Sequence, residues 1–278
     1  MAMKDIYVHL DASADCKRRV DAGVRLAQRL DSRMTGIAVV QRPYVPPYAE
    51  VEIGAEILEQ HQQAVRDTLE HIGAAFEERT GSAGVDAEWR IVDGEPVGVL
   101  SEHCRYGDLL VLSQDADSHD LLPGGHEMPD RVILTAGRPV LVVPNIYDDG
   151  EIGRCILVGW DAGRMAARAV HDALPVLQKA DKVTIMIANP EPGEDGHGDL
   201  PGADLAAHLA RHGVNAEADH VTSKDMDIGD LLLSRAADIQ ADMIVLGAYG
   251  HARWRELVLG GVTRHMLDSM PVPVFMSH

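Results

Sequence analysis

The sequence GRCILVGWDAGRMAARAVHDALPVLQKADKVTIMIA, starting at Gly153, lies without a gap under MKDIYVHLDASADCKRRVDAGVRLAQRLDSRMTGIA, starting at Met3. Ile6 falls over Ile156, Asp11 over Asp161 and Asp31 over Asp181, a shift of 150 residues. Near the end of each copy the shift is 134: GDLLVLS from Gly107 lies over ADMIVLG from Ala241, and RPVLVVP from Arg138 over VPVFMSH from Val272. A duplication on this scale demands two copies of one fold. The 278 residues also exceed the roughly 100–200 of a single domain. The boundary is expected between 147 and 148, giving half one (1–147) and half two (148–278). Half one is the longer by 16 residues. Its surplus is expected in QRPYVPPYAEVEIG (41–54), whose prolines favour an extended loop.

Each half alternates short apolar runs with helical patterns. IYVHL and CILVGW precede the amphipathic stretches CKRRVDAGVRLAQRL and RMAARAVHDALPVLQ, which lead to the β-rich MTGIAVV and VTIMIA. A second helix, the strands AEWRIVDG and AEADHVTS, a third helix, LLVLS or MIVLG, a last helix and PVLVV or PVFM complete each copy. That gives about five strands and four helices per half. Strands separated by helices require right-handed crossovers and a parallel sheet covered on both faces. The expected fold class is therefore α/β, with two doubly wound domains, each a roughly five-stranded parallel sheet flanked by helices. In such sheets a ligand binds at the carboxyl ends of the strands, where the strand order reverses.

Composition removes whole classes of partner. A formal charge of −19 repels the phosphate backbone of nucleic acids and anionic membranes, so neither is an expected partner. No apolar run approaches the roughly 20 residues of a membrane span. Asp5, His9 and Asp11 interrupt any secretory leader at the start of the sequence, and Cys16, Cys104 and Cys155 form no paired motif. The expected location is the cytoplasm.

Chemistry concentrates in GAYGHARWRELVLGGVTRHM, residues 247–266. Four glycines close after a strand suggest a backbone that something approaches closely, and a helix starting near Gly260 offers N–H groups and a positive dipole end to a phosphate. Asp161 closing a first strand, ADMIVLG before Gly247-Ala-Tyr-Gly250, nine residues, Gly260-Gly261-Val262-Thr263 and a terminal PVPVF together resemble the universal stress protein family in a tandem form. The resemblance spans nearly the whole chain and implies an adenine nucleotide alpha hydrolase-like fold. It also implies binding of ATP or a related adenine nucleotide, with Mg²⁺ as a companion ion, and a stress-response regulatory or protective role. The implied contacts are Trp160 and Asp161 after the first strand, the backbone of Ile187 and Ala188 beside adenine, and Gly247, Gly250, Gly260, Gly261, Val262 and Thr263 around the phosphates. Gly261 stands where the family carries a hydroxyl. Each position also has a plain structural explanation: glycines at turns, Thr263 or Asp161 as helix caps.

Half one departs from the motif throughout. With the shift of 134, Ser113, Ala116, His126, Glu127 and Pro129 replace Gly247, Gly250, Gly260, Gly261 and Thr263. Glu127 is expected to put a carboxylate where a phosphate would lie, leaving half one a nucleotide-free partner. Asp115, Asp117, His119, Asp120, His126 and Glu127 can be imagined around a metal, but without the spacing of a zinc site they read as an acidic loop. His208 and His212, at i and i+4, lack a third ligand. Arg253 and Arg255 can fold over phosphates, and Trp254 can stack or pack. GxSxG, GKS/T and GxGxxG are absent, so the chain is not expected to be an enzyme. Two other readings stay open: a nucleotide-free assembly module, and a slow nucleotide hydrolase or transferase using the same pocket. The resemblance also implies self-association through the final strands PVLVVP and PVPVFM, with an intramolecular pseudo-dimer favoured and a homodimer beyond it.

Overall fold

The computed structural model describes residues 2–41, 55–115, 128–147, 150–190, 202–223, 225–250 and 261–278. Half one contains β1 (Asp5–Leu10), α1 (Cys16–Leu30), β2 (Arg33–Val40), α2 (Ala55–Ser82), β3 (Ala87–Asp93), α3 (Pro96–Cys104), β4 (Leu109–Ser113), α4 (Met128–Thr135) and β5 (Val140–Val143). Half two contains β6 (Cys155–Gly159), α5 (Arg164–Leu177), β7 (Lys182–Ala188), α6 (Ala203–Arg211), β8 (Ala216–Val221), α7 (Ile228–Asp238), β9 (Met243–Gly247), α8 (Gly261–Ser269) and β10 (Val274–Ser277).

The strands form one ten-stranded sheet, ordered β3-β2-β1-β4-β5-β10-β9-β6-β7-β8. Within each half every pairing is parallel. The halves meet where β10 runs antiparallel to β5, with Val274 opposite Val142, Phe275 opposite Leu141 and Met276 opposite Val140. This pairing gives each final strand a neighbour on both sides, so neither presents an open edge. The true edges, β3 and β8, are half exposed and carry Glu88 and Arg90, Glu217 and Asp219. Such charges discourage further strand addition.

Side chains alternate across the pleat, so each strand feeds two cores. Ile6, Val8, Ile156 and Val158 pack on one face under α1, α2, α5 and α6, where Val24, Phe76, Ala173 and Leu209 are buried. Tyr7, Leu110, Leu157 and Ile244 lie on the other under α3, α4, α7 and α8, with Leu100, Ile133, Leu232 and Met266. Both cores continue across the β5–β10 seam.

Two sequence-based expectations need correction. The shift of 150 does not persist into the second strand: Ile6 faces Met34, whereas Ile156 faces Val183, one residue earlier than that shift requires. The repeated ion pairs Lys4–Asp31 at 2.8 Å and Arg154–Asp181 at 2.7 Å fix the preceding turn at the full 150. The lost residue therefore follows this aspartate, where half one carries Ser32, buried with its hydroxyl donating to the Met3 carbonyl. The surplus of half one is not confined to 41–54 either. The matched residues Met34 and Val183 lie 149 apart, and Ala87 and Ala216 lie 129 apart, so 20 extra residues separate the second and third strands of half one. Much of that length is helix, since α2 has 28 residues and its counterpart α6 has 9. Residues 42–54 themselves lie outside the described residues.

Candidate functional site

In half two the strand order reverses between β6 and β9, and the chain leaves both parallel strands at the same end of the sheet. After β6 it passes through Trp160, whose N–H donates to the Met186 carbonyl at 2.9 Å, and reaches Asp161. Trp160 is partly buried against the core, whereas Asp161 is exposed. The Asp161 carboxylate accepts from the Gly163 N–H at 2.8 Å and so closes the turn into α5. It does not serve as the N-cap, a position held by Gly163.

After β9 the loop Gly247–Gly250 comes to the same place. A Cβ built on Gly250 would stand 3.9 Å from Asp161 Oδ2, so the two positions are immediate neighbours. Tyr249 adopts φ +54, left-handed backbone that side chains disfavour. Its N–H donates to Thr263 Oγ1 at 3.1 Å, tying the loop to the first turn of α8. Thr263 is buried, so its hydroxyl braces the loop in addition to any contact it offers a ligand. Val262 packs partly against the core, and Gly261 is exposed, with none of the described residues within 4 Å of where its Cβ would be. The amides of the first turn of α8, which lack intrahelical partners, thus begin beside this loop.

The backbone of β7 separates the two residues assigned to adenine. The Met186 carbonyl faces β6, and the Asn189 N–H donates to the Val221 carbonyl on β8 at 2.8 Å. Alternate residues face alternate neighbours, so Ala188 turns its backbone groups toward the β6 side and Ile187 toward β8. Ile187 is also buried, with its Cδ1 2.5 Å from where a Gly202 Cβ would lie. Ala188 is the member of the pair available to a ligand. Gly260, Arg253, Trp254 and Arg255 lie outside the described residues.

Half one has a different arrangement at the matching position. Arg19, almost fully buried, donates from Nε to the His9 carbonyl and from Nη1 to Ser113 Oγ, both at 2.7 Å, and its Nη2 lies 3.0 Å from Asp11 Oδ1. The ends of β1 and β4 are thereby joined by the chain's own guanidinium. Burial, reinforced by the Arg19 charge, lowers the pKa of His9 from 6.5 to about 4, with Asp11 opposing the shift. Burial pushes the Asp11 carboxyl up, but Arg19, His9 and the Ser13 hydroxyl together hold it below the usual range. The N-terminus of α4 is capped from within, because Asp115 Oδ2 accepts from the Met128 N–H at 2.8 Å. Among the described residues the carboxylate that caps this helix start is therefore Asp115, with Asp130 in the first turn, and Asp117, His119, Asp120, His126 and Glu127 lie outside them. Among the described residues no group of three His, Cys, Asp or Glu could hold a metal, and His208 and His212 form a T-shaped ring pair 4.7 Å apart.

The sequence did not disclose Arg19 or Asp130, nor the roles of Asp115 as a helix cap and of Tyr249 as a cross-seam donor. Asp130 is buried on α4 and accepts a hydrogen bond from the Tyr249 hydroxyl across the seam between halves. Tyr249 and Asp115 occupy the same place in the repeat, and that equivalence was the available signal.

The model of the universal stress protein family matches residues 154–278. A universal stress protein from Archaeoglobus fulgidus is similar over 99% of this chain and 96% of its own, with 15% identity and a TM-score of 0.77. A putative universal stress protein from Pseudomonas aeruginosa covers 99% of this chain and 93% of its own at 15% identity, with a TM-score of 0.58. These likenesses establish the two-half fold. A universal stress protein family protein from Arabidopsis thaliana, with AMP bound, covers 51% of this chain and 91% of its own at 18% identity, but its TM-score of 0.37 is too low to transfer a ligand. No curated protein matches the chain. No helix among the described residues is long and apolar enough to cross a membrane.

Proposed function

Residues 154–278 form a domain of the universal stress protein family, and on that premise we propose that half two binds ATP or a related adenine nucleotide between the ends of β6 and β9. The chain then acts as a cytoplasmic stress-response regulatory or protective factor, a binding protein and not an enzyme. The observation that carries this reading is the convergence of Asp161, Gly250 and the first turn of α8 at the strand-order reversal.

Chemistry supports each contact. The first-turn N–H groups of α8 and the positive end of its dipole suit phosphate oxygens. The exposed Asp161 suits ribose hydroxyls or a phosphate-bound Mg²⁺. The outward backbone of Ala188 suits the hydrogen-bonding edge of adenine. Half one has both the ribose and the phosphate positions engaged by its own groups, since Arg19 pairs with Asp11 and Asp115 caps α4.

Two measurements test the reading. Denaturing the purified protein and identifying any released nucleotide asks what it carries. Gly261→Asp places a carboxylate at the start of α8 where a phosphate would lie. Its Cβ meets none of the described residues, and its charge stabilises the helix end by about 0.3–1 kcal/mol. Calorimetric binding of ATP should vanish while thermal stability is kept. A variant that binds ATP as well as the parent refutes the site, and a parent that neither carries nor binds nucleotide favours the assembly-module reading.

A further inference from the structure

We propose that half one positions the nucleotide loop of half two, and that Asp130 does so through the Tyr249 hydroxyl although it belongs to the other half of the chain. The inference rests on the nucleotide reading for its consequence but stands on its own geometry.

Tyr249 sits inside the loop between Gly247 and Gly250 with φ +54. Left-handed backbone costs a non-glycine residue roughly 1–2 kcal/mol, so the conformation must be held by its surroundings. Ties from half two include the Tyr249 N–H to Thr263, the Ala248 N–H to the Ser277 carbonyl at 2.9 Å, and the His278 ring, whose Nδ1 lies 3.2 Å from the Ala248 carbonyl oxygen and which meets the Tyr249 ring edge-on at 6.2 Å. Another crosses the seam, from the Tyr249 hydroxyl to Asp130.

Asp130 is itself held firmly. It lies in the first turn of α4, whose Met128 N–H donates to Asp115 Oδ2 at 2.8 Å. Asp115 and Tyr249 are equivalent under the shift of 134. Two equivalent loop residues thus converge on one turn of one helix, Asp115 at its N-terminus and Tyr249 on its carboxylate. The opposite hook exists too. Gln114 Nε2 donates to the Leu267 and Asp268 carbonyls at 2.7 and 3.0 Å, in the last turn of α8. Half one therefore grips both the loop and the helix of the candidate site.

The test uses the full chain, with ATP as the probe in calorimetry. Tyr249→Phe and Asp130→Ala each remove the hydrogen bond and should weaken binding about three- to tenfold, the range of one net hydrogen bond. The double variant should be no weaker than either single one, the mark of a shared interaction. Asp130→Asn keeps an acceptor oxygen and should return affinity to the parent level or above it. Parent affinity in Tyr249→Phe, additive losses in the double variant, or tighter binding by Asp130→Ala would each overturn the proposal, the last because Asp130 would then be only a repelling charge. Hydrogen exchange at the Ala248–Gly250 amides gives a readout independent of nucleotide. It should accelerate in Tyr249→Phe and not in Asp130→Asn, with the core amides unchanged. If the parent does not bind ATP, the functional reading fails while exchange still decides the brace, and exchange equal to the parent in Tyr249→Phe overturns it.

Discussion

Gly247 lies so close to the first turn of α5 that a Cβ built on it would stand 2.3 Å from the Ala166 amide nitrogen. The Met165 carbonyl carbon would be 2.4 Å away. What approaches this glycine is therefore the protein's own helix, and the first glycine of the motif is explained by packing. Gly247→Ala should cost about 1–3 kcal/mol, since backbone cannot yield as a flexible side chain does. Urea unfolding at neutral pH measures it, and an unchanged midpoint would show that α5 can shift freely.

Gly261 is the opposite case, with none of the described residues near its Cβ position. Gly261→Ser should leave the fold unchanged or slightly firmer, because serine is the better helix former. A hydroxyl beside a phosphate adds a hydrogen bond to a charged group, of about 1.5–3 kcal/mol. ATP affinity should therefore rise roughly tenfold or more in calorimetry. A fall would mean the loop runs a different path when a ligand is bound.

The buried His9 makes stability depend on pH in a defined window. In the unfolded chain its ring takes up a proton as the pH falls through 6.5, whereas in the fold it stays neutral until about 4. Its contribution is complete above pH 6.5 and is lost as the pH falls toward 4. At about 1.4 kcal/mol per pKa unit, it amounts to about 3 kcal/mol. Asp11, held low, contributes above the ordinary carboxylate range and loses its share only at lower pH. Comparing urea unfolding at pH 7 and pH 4.5 in the parent and in His9→Leu isolates the effect: the fall in stability between the two pH values should be smaller in the variant by about 2–3 kcal/mol. An equal fall in both would assign the acid sensitivity elsewhere.

The repeat, the strand assignments and the parallel class were legible because apolar periodicity and the twofold recurrence of the sequence reinforce each other. The slip at Ser32 was not legible. Aligning aspartate on aspartate satisfies the sequence, and only strand pairing reveals that one residue fewer follows in half two. Arg19 escaped because CKRRVDAG reads as the polar side of an amphipathic helix, yet this arginine turns inward to meet His9, Asp11 and Ser113. Asp130 and Tyr249 escaped because their 119-residue separation crosses two copies of the fold, and no local pattern encodes such a contact.

The seam makes a further prediction about the isolated half two, residues 148–278. Without β5, the Val274–Met276 edge loses its antiparallel neighbour. The fragment should pair with a second copy of itself or lose solubility, as exposed apolar edges do. Light scattering decides, and a stable monodisperse monomer would show that β5 is a dispensable cover.

Two separate polypeptides joined through such a seam would carry two equal vacancies, each able to report its filling to the other. Here the seam lies inside one polypeptide, and Arg19 and Asp115 commit the vacancy of half one to the chain's own charges. With half one so committed, the proposed reading leaves one nucleotide site per chain, and a single chain therefore fills hyperbolically with a Hill slope of about 1.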